Sequence, residues 1–235
     1  MNPLIIGIIG LLVGVVGISL GSIIGMLIKK TDKLLSFFLG LSGGFMMFIV
    51  SFHLLPEAFY LGGTPTVILG VAGGIFVIVM MEKFLEGLSQ FAHMRSGIIL
   101  SLGIAVHGLP EGLALGSTLM GISDFGFVLT IAMLLHNIPE GIAMTIPLSM
   151  NKVSPWKIIL ISSLVGVPMG IGAYAGAYLG NISNTIISLC LAIAGGTMLY
   201  IVADEIIPTG KTLHKGRVSS IAVVMGFVLG IIIYF

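Results

Sequence analysis

Hydrophobic positions in this chain come in long unbroken blocks, with polar ones in short clusters between them. Charge-free stretches cover residues 1–28, 34–56 and 58–81, a double-length run covers Ile158–Ala203, and a last one covers Val218–Phe235. A bilayer core takes about 20 apolar residues of α-helix, so each stretch of that length reads as one membrane-spanning helix. The double run breaks at Gly180-Asn181-Ile182-Ser183-Asn184, a cluster of turn formers between apolar segments, and gives two. Between Ser96 and Asn151 lie two further runs, each interrupted near its middle by one acid, Glu111 and then Glu140, with Asp124 between them. With both counted as spans, the pattern predicts eight helices over about 4–28, 34–57, 65–82, 97–120, 125–149, 157–179, 184–207 and 218–235. The expected fold is an all-α integral membrane protein, one polytopic domain over residues 1–235.

Composition agrees with the pattern. Hydrophobic residues make up 57% of the chain and charged ones 8%, with a mean hydropathy of +1.21, whereas soluble domains carry about 25% charged residues. Eight spans leave little chain for an extramembrane domain, so function is expected inside the bilayer of a multi-pass protein, at the cell membrane. A formal net charge of +1 lacks the basic footprint of a nucleic-acid binder, and no nucleic-acid partner is expected. The basic residues set the orientation. Lys29, Lys30 and Lys33 follow the first expected helix, Lys83 and Arg95 the third, Lys152 and Lys157 the fifth, and Lys211, Lys215 and Arg217 the seventh, which accounts for all ten. Lys and Arg in short loops concentrate on the cytoplasmic side, so both termini are expected outside. Trp156 beside Lys157 reads as an inner interface anchor and Tyr234 as an outer one. The first 28 residues lack a basic leader region and read as a retained helix rather than a cleaved signal. Cys190, the one cysteine, reads as packing. Rows such as Gly17, Gly21, Gly25 and Gly172, Gly176, Gly180 predict helices that approach closely.

A charge at mid-bilayer costs about 2.5–3.5 kcal/mol on insertion scales, so Glu111 and Glu140 need a reason to be there. Each occupies the same local sequence: His107-Gly108-Leu109-Pro110-Glu111-Gly112 in the fourth expected helix and His136-Asn137-Ile138-Pro139-Glu140-Gly141 in the fifth. His and Glu at i and i+4 stack on one helix face. Consecutive spans run antiparallel, so the two faces meet near the midplane with two imidazoles and two carboxylates. Pro110 and Pro139 withhold hydrogen bonds from the carbonyls of Val106 and Leu135, which in lipid must face protein, water or an ion. The whole reads as a cation cradle. The plainer reading, neutral His–Glu pairs at two bends, serves one copy as well but accounts poorly for two facing copies. His53-Leu54-Leu55-Pro56-Glu57 repeats the spacing near the outer end of the second helix, where a place on a transport pathway and a snorkelling interface role both stay open. Asp204 and Glu205, ahead of Pro208 near the inner end of the seventh, either pass a cation onward or are simply hydrated. His93 and His214 read as solvated loop residues.

These residues together resemble the ZIP (ZRT/IRT-like) family of divalent metal transporters. HGLPEG and HNIPEG carry the likeness, HLLPEA at 53–58 and DEIIP at 204–208 support it, and it covers essentially the whole chain. The resemblance implies import of zinc or a related divalent cation into the cytoplasm through a site between helices four and five. It also implies a 3+2+3 arrangement of helices, a homodimer, and a sliding, elevator-like motion of the metal-carrying helices. Carried over residue by residue, it implies His107, Glu111, His136 and Glu140 as metal ligands, with Met46 added from the second helix through Gly44-Phe45-Met46. Some members hold a second metal beside the first. Here Gly108 stands where they carry an amide, and Gly166-Val167-Pro168 offers no acid, which leaves Asn137 and the shared glutamates and implies one strong site and at most a weak second.

Imidazoles, carboxylates and a thioether suit Zn(II), and nearly as well Fe(II), Mn(II), Co(II), Ni(II) or Cd(II). Zinc leads this set, and no cofactor is expected beyond the transported metal. The ligands bind deprotonated, so acid competes with metal. A haem-binding electron-transfer protein with His107 and His136 as axial ligands is one alternative, with a glutamate beside each histidine counting against it. A metal-free proton relay is another. An intramembrane metalloprotease would need H-E-x-x-H, a spacing the chain lacks, and no enzymatic activity is expected.

Overall fold

The structure is a computed structural model that describes residues 1–89, 96–121 and 123–234. His93, Arg95, Phe235 and the side chain of Tyr234 lie outside that description. All described elements are helical: α1 (Pro3–Leu27), α2 (Asp32–Ile49), a π-helical turn (Val50–Leu54), α3 (Leu55–Ser89), α4 (Ser96–Gly121), α5 (Ser123–Met150), α6 (Pro155–Gly180), α7 (Asn184–Ile201), a second π-helical turn (Val202–Ile206), α8 (Ile207–Leu213) and α9 (Val218–Tyr234). Local chemistry sets several starts. The Asn2, Thr31 and Ser183 side chains accept hydrogen bonds from the backbone N–H groups of Leu4, Leu34 and Ile186, and Pro3 and Pro155 open α1 and α6.

Five helical stretches among the described residues are long and apolar enough to cross a membrane: Pro3–Leu27, Asp32–Met81, Asp124–Met150, Pro155–Gly180 and Asn184–Leu213. Val218–Ile233 is apolar but shorter. The 50-residue stretch Asp32–Met81 differs from the sequence expectation, which put a loop between residues 57 and 65. Helical hydrogen bonding instead continues past Glu57, and α3 breaks only at Gly63 (φ 70°, ψ 176°), a conformation glycine adopts without strain. The seventh expected helix likewise runs on, through its π turn, to Leu213.

Close glycine contacts reveal the helix directions. Gly7 lies beside Tyr174 and Gly14 beside Gly166, so α1 and α6 are antiparallel. Gly17 lies beside Asn137 and Gly25 beside Thr145, so α1 and α5 are parallel; Gly108 meets Met169 and Gly180 meets Ser117, so α4 and α6 are parallel. It follows that α4 and α5 run in opposite directions. The packing has a twofold pattern, with α1 against α6 and α4 against α5 at the centre, α1 on α5 mirrored by α6 on α4, and α2 on α9 mirrored by α7 on α3. Sequence echoes this. Gly43-Gly44, Met46, Ile49-Val50 and Pro56 recur in the same order and spacing as Gly195-Gly196, Met198, Ile201-Val202 and Pro208. Each copy has its π turn just ahead of the proline, where Leu55 N–H reaches the Val50 carbonyl and Ile207 N–H the Val202 carbonyl, five residues back. A proline cannot donate to the residue four back and crowds its carbonyl; the wider π turn takes up that clash.

Polarity is inverted relative to a soluble fold. Leu12, Phe76, Leu164 and Ile232 are more than half exposed, whereas the buried histidines and carboxylates among the described residues are His53, His107, Glu111, His136 and Glu140. An apolar outer belt of this extent suits a multi-pass membrane protein.

Candidate metal centre

The glycine that ends each H-x-x-P-E-G copy fixes which way the copy faces. A Cβ at Gly112 would strike the Met169 carbonyl on α6; one at Gly141 would strike the Ile18 carbonyl on α1, where Gly21 reciprocally meets the Ile138 carbonyl. Glycine faces therefore hold α4 on α6 and α5 on α1, and the adjoining faces about 100° round, bearing the acids, turn toward each other. Both helices stay helical through Pro110 and Pro139.

Three of the expected ligands meet in the gap. His136 Nε2 lies 3.1 Å from Glu111 Oε1 on the facing helix and 3.9 Å from Glu140 Oε1 on its own. One ligand atom from each of Glu111, His136 and Glu140 falls within 4.8 Å of the others, and all three side chains are buried. Donors about 2.1 Å from a tetrahedral ion stand about 3.4 Å apart, and the two measured spacings bracket that value. An imidazole and two carboxylates within ion-binding reach, inside an apolar bundle, fit a borderline divalent cation. The Phe45 ring stacks on His136 with centroids 6.5 Å apart and planes 10° from parallel, covering one side. Ser42 Oγ approaches Glu140 Oε1 at 3.5 Å.

The other predicted residues lie outside that trio. His107 turns to Glu205, with Nε2 3.4 Å from Oε2, and a narrow recess of about 20 Å³ lies beside them, where Ser42, Glu140 and Thr209 join apolar side chains such as Leu39 and Ile206. That volume holds a single water. Met46 is fully buried, one turn beyond Ser42 on the same face of α2. Asn137 faces away from the cluster, its amide donating to the Val13 carbonyl at 3.4 Å and to the Met169 sulfur at 3.6 Å. His53 sits buried in the first π turn against Phe48 and Phe125. Glu57 is partly exposed at the start of α3, and exposed Asp204 accepts from the Tyr200 hydroxyl at 3.3 Å. Ser42 and Phe45 escaped the sequence reading. Ser42 lies four residues before Met46, which is the spacing that could have found it. The repeat sets His53 and Glu205 at equivalent positions and could have pointed Glu205 inward.

Residues 88–235, more than half the chain and containing both H-x-x-P-E-G copies, match the family described as ZIP Zinc transporter. The chain belongs to the ZIP family. Its relatives include proteins named zinc transporter ZupT from Akkermansia muciniphila, 30% identical over 89% of this chain and 89% of the relative, and from Campylobacter jejuni, 30% identical over 90% and 89%. Another from Chlorobaculum parvum is 33% identical over 82% of each. As a ZIP protein the chain is a transporter rather than an enzyme, and the buried His/Glu cluster is its candidate cargo site.

Proposed function

We propose that this chain imports a divalent metal ion, zinc first, across the cell membrane into the cytoplasm through the Glu111–His136–Glu140 cluster. The observation that carries the reading is the burial of that trio within ligand distance between antiparallel α4 and α5. Carboxylates held this deep without a cation to serve would only destabilise a lipid-embedded fold. The same donors take Fe(II), Mn(II), Co(II), Ni(II) and Cd(II), so zinc rests on family and donor set together. Met46 adds a thioether from α2. Asn137 offers its amide to α1 and α6 instead, which favours one metal per passage.

In this reading the chain crosses eight times in a 3+2+3 order. The groups are α1, α2 and α3; then α4 and α5; then α6, α7 with α8, and α9. Both termini lie outside, because Lys29, Lys30, Lys33, Lys152, Lys157, Lys211, Lys215 and Arg217 belong to loops at the opposite end. His53 and Glu57 then mark the outer approach, and Glu205 and Asp204 the inner exit. A homodimer in the bilayer is the assembly we expect. Haem ligation is disfavoured, since each candidate axial imidazole already faces a carboxylate, His107 that of Glu205 and His136 that of Glu111.

The test is zinc influx into proteoliposomes carrying wild type or Glu111→Ala plus Glu140→Ala. Influx in wild type and none in the variant is expected; equal influx in both defeats the proposal.

A further inference from the structure

Of the three clustered side chains, Glu140 stands apart. Glu111 lies closest to His136, at 3.1 Å, and neither of those two residues lines the recess that leads to Glu205. Glu140 is the looser partner of His136, at 3.9 Å, and it does line that recess. The same oxygen, Oε1, that faces His136 is also the one Ser42 approaches, at 3.5 Å. Ser42 is buried on α2 and lines the recess as well. Its hydroxyl is therefore placed where the Glu140 carboxylate would turn if it left the metal for the inner side.

Resting on the transport reading above, we propose that Ser42 is a positioning residue that competes with the metal for Glu140 and so promotes inward release. At 3.5 Å the contact is at the long limit for a hydrogen bond; a small rotation of the carboxyl group brings it to about 2.8 Å. A metal ion on Oε1 takes one of its two lone pairs and draws charge from the other, so the hydroxyl meets a weaker acceptor while the ion is bound. When the ion departs toward His107 and Glu205, the Ser42 hydroxyl donates to the vacated oxygen, and a buried carboxylate that would otherwise be short of a partner is compensated. The hydroxyl thus stabilises the empty cluster more than the loaded one. A group that favours the empty state weakens equilibrium binding and speeds release, which suits a site that must give up its ion.

The experiment measures zinc affinity on purified full-length protein, and zinc influx in proteoliposomes, for wild type, Ser42→Ala and Ser42→Thr. Thermal melting checks that each variant is folded, and Ser42→Gly, which also lacks the hydroxyl, repeats the test independently. Ser42→Ala is expected to bind zinc about three- to tenfold more tightly, with maximal influx and the KM of influx both lowered. Ser42→Thr, which keeps the hydroxyl, is expected to restore wild-type values. Weaker binding in Ser42→Ala would make the serine a ligand, and unchanged affinity with altered melting would make it merely structural; either overturns the proposal while leaving transport intact. A wild type that neither binds nor admits zinc defeats the transport reading itself.

Discussion

The two H-x-x-P-E-G copies are nearly identical in sequence and sit on adjacent antiparallel helices, yet they are used differently. The α5 copy gives both His136 and Glu140 to the cluster. The α4 copy gives only Glu111 and turns His107 away to Glu205 on the second π turn. Around the α5 copy lies an aromatic cover, Phe45 on His136, whereas His107 opens on a small recess where Ser42, Glu140 and Glu205 stand among apolar side chains. A repeated motif therefore builds an unsymmetrical site, closed by an aromatic ring on one side and continued by a carboxylate on the other.

The sharpest way to break the comparison is to remove each histidine. His136→Ala is expected to weaken zinc binding by about 100-fold or more and abolish influx, since removing just a hydrogen-bond partner of a metal ligand costs about 10–100-fold. His107→Ala is expected to leave equilibrium binding within about fivefold and to slow influx. Titration calorimetry and proteoliposome flux separate the two. Next in size are the glycines. Gly112→Ala places a Cβ against the Met169 carbonyl and is expected to destabilise the bundle by about 1–3 kcal/mol. Gly108→Ala in the same copy meets only ordinary contacts at 3.5 Å or more and is expected to be neutral or to stabilise by up to about 1 kcal/mol. Thermal melting in detergent reads both.

The His107–Glu205 contact makes a finer prediction. His107→Ala and Glu205→Ala are expected to be non-additive in influx, with a coupling of about 1 kcal/mol; strict additivity would mean that the two act separately. The smallest effect on zinc binding is expected at Asn137. Replacing it with Leu removes donors to Val13 and Met169 and is expected to cost about 1 kcal/mol of stability while shifting zinc affinity by less than about twofold. A large loss of affinity there would restore Asn137 to the ligand set.

The helices were legible in the sequence because lipid-facing segments need no alternation and read as unbroken apolar runs. Glu111 and Glu140 stood out for the same reason, as lone acids in such runs. What local reading missed was geometry between elements. Spacing within one copy pairs His136 with Glu140, but the shorter contact, 3.1 Å against 3.9 Å, goes across to Glu111. The charge of Glu57 ends the second apolar run, yet a π turn absorbs Pro56 and helical bonding continues to Gly63, the far side of the expected loop. Glu205 reads equally as a relay for a cation and as a hydrated residue at the exit, and its place in the π turn ahead of Pro208, against His107, is a contact between elements. Serine at position 42 carries no signal alone, since most buried serines in helices bond to their own backbone.

The most direct test of the central claim is zinc K-edge X-ray absorption with metal analysis on purified wild type, His107→Ala and His136→Ala. The account predicts zinc bound in wild type and in His107→Ala with imidazole scattering in both, and zinc lost from His136→Ala. Zinc retained with unchanged scattering in His136→Ala, or lost only from His107→Ala, would contradict it.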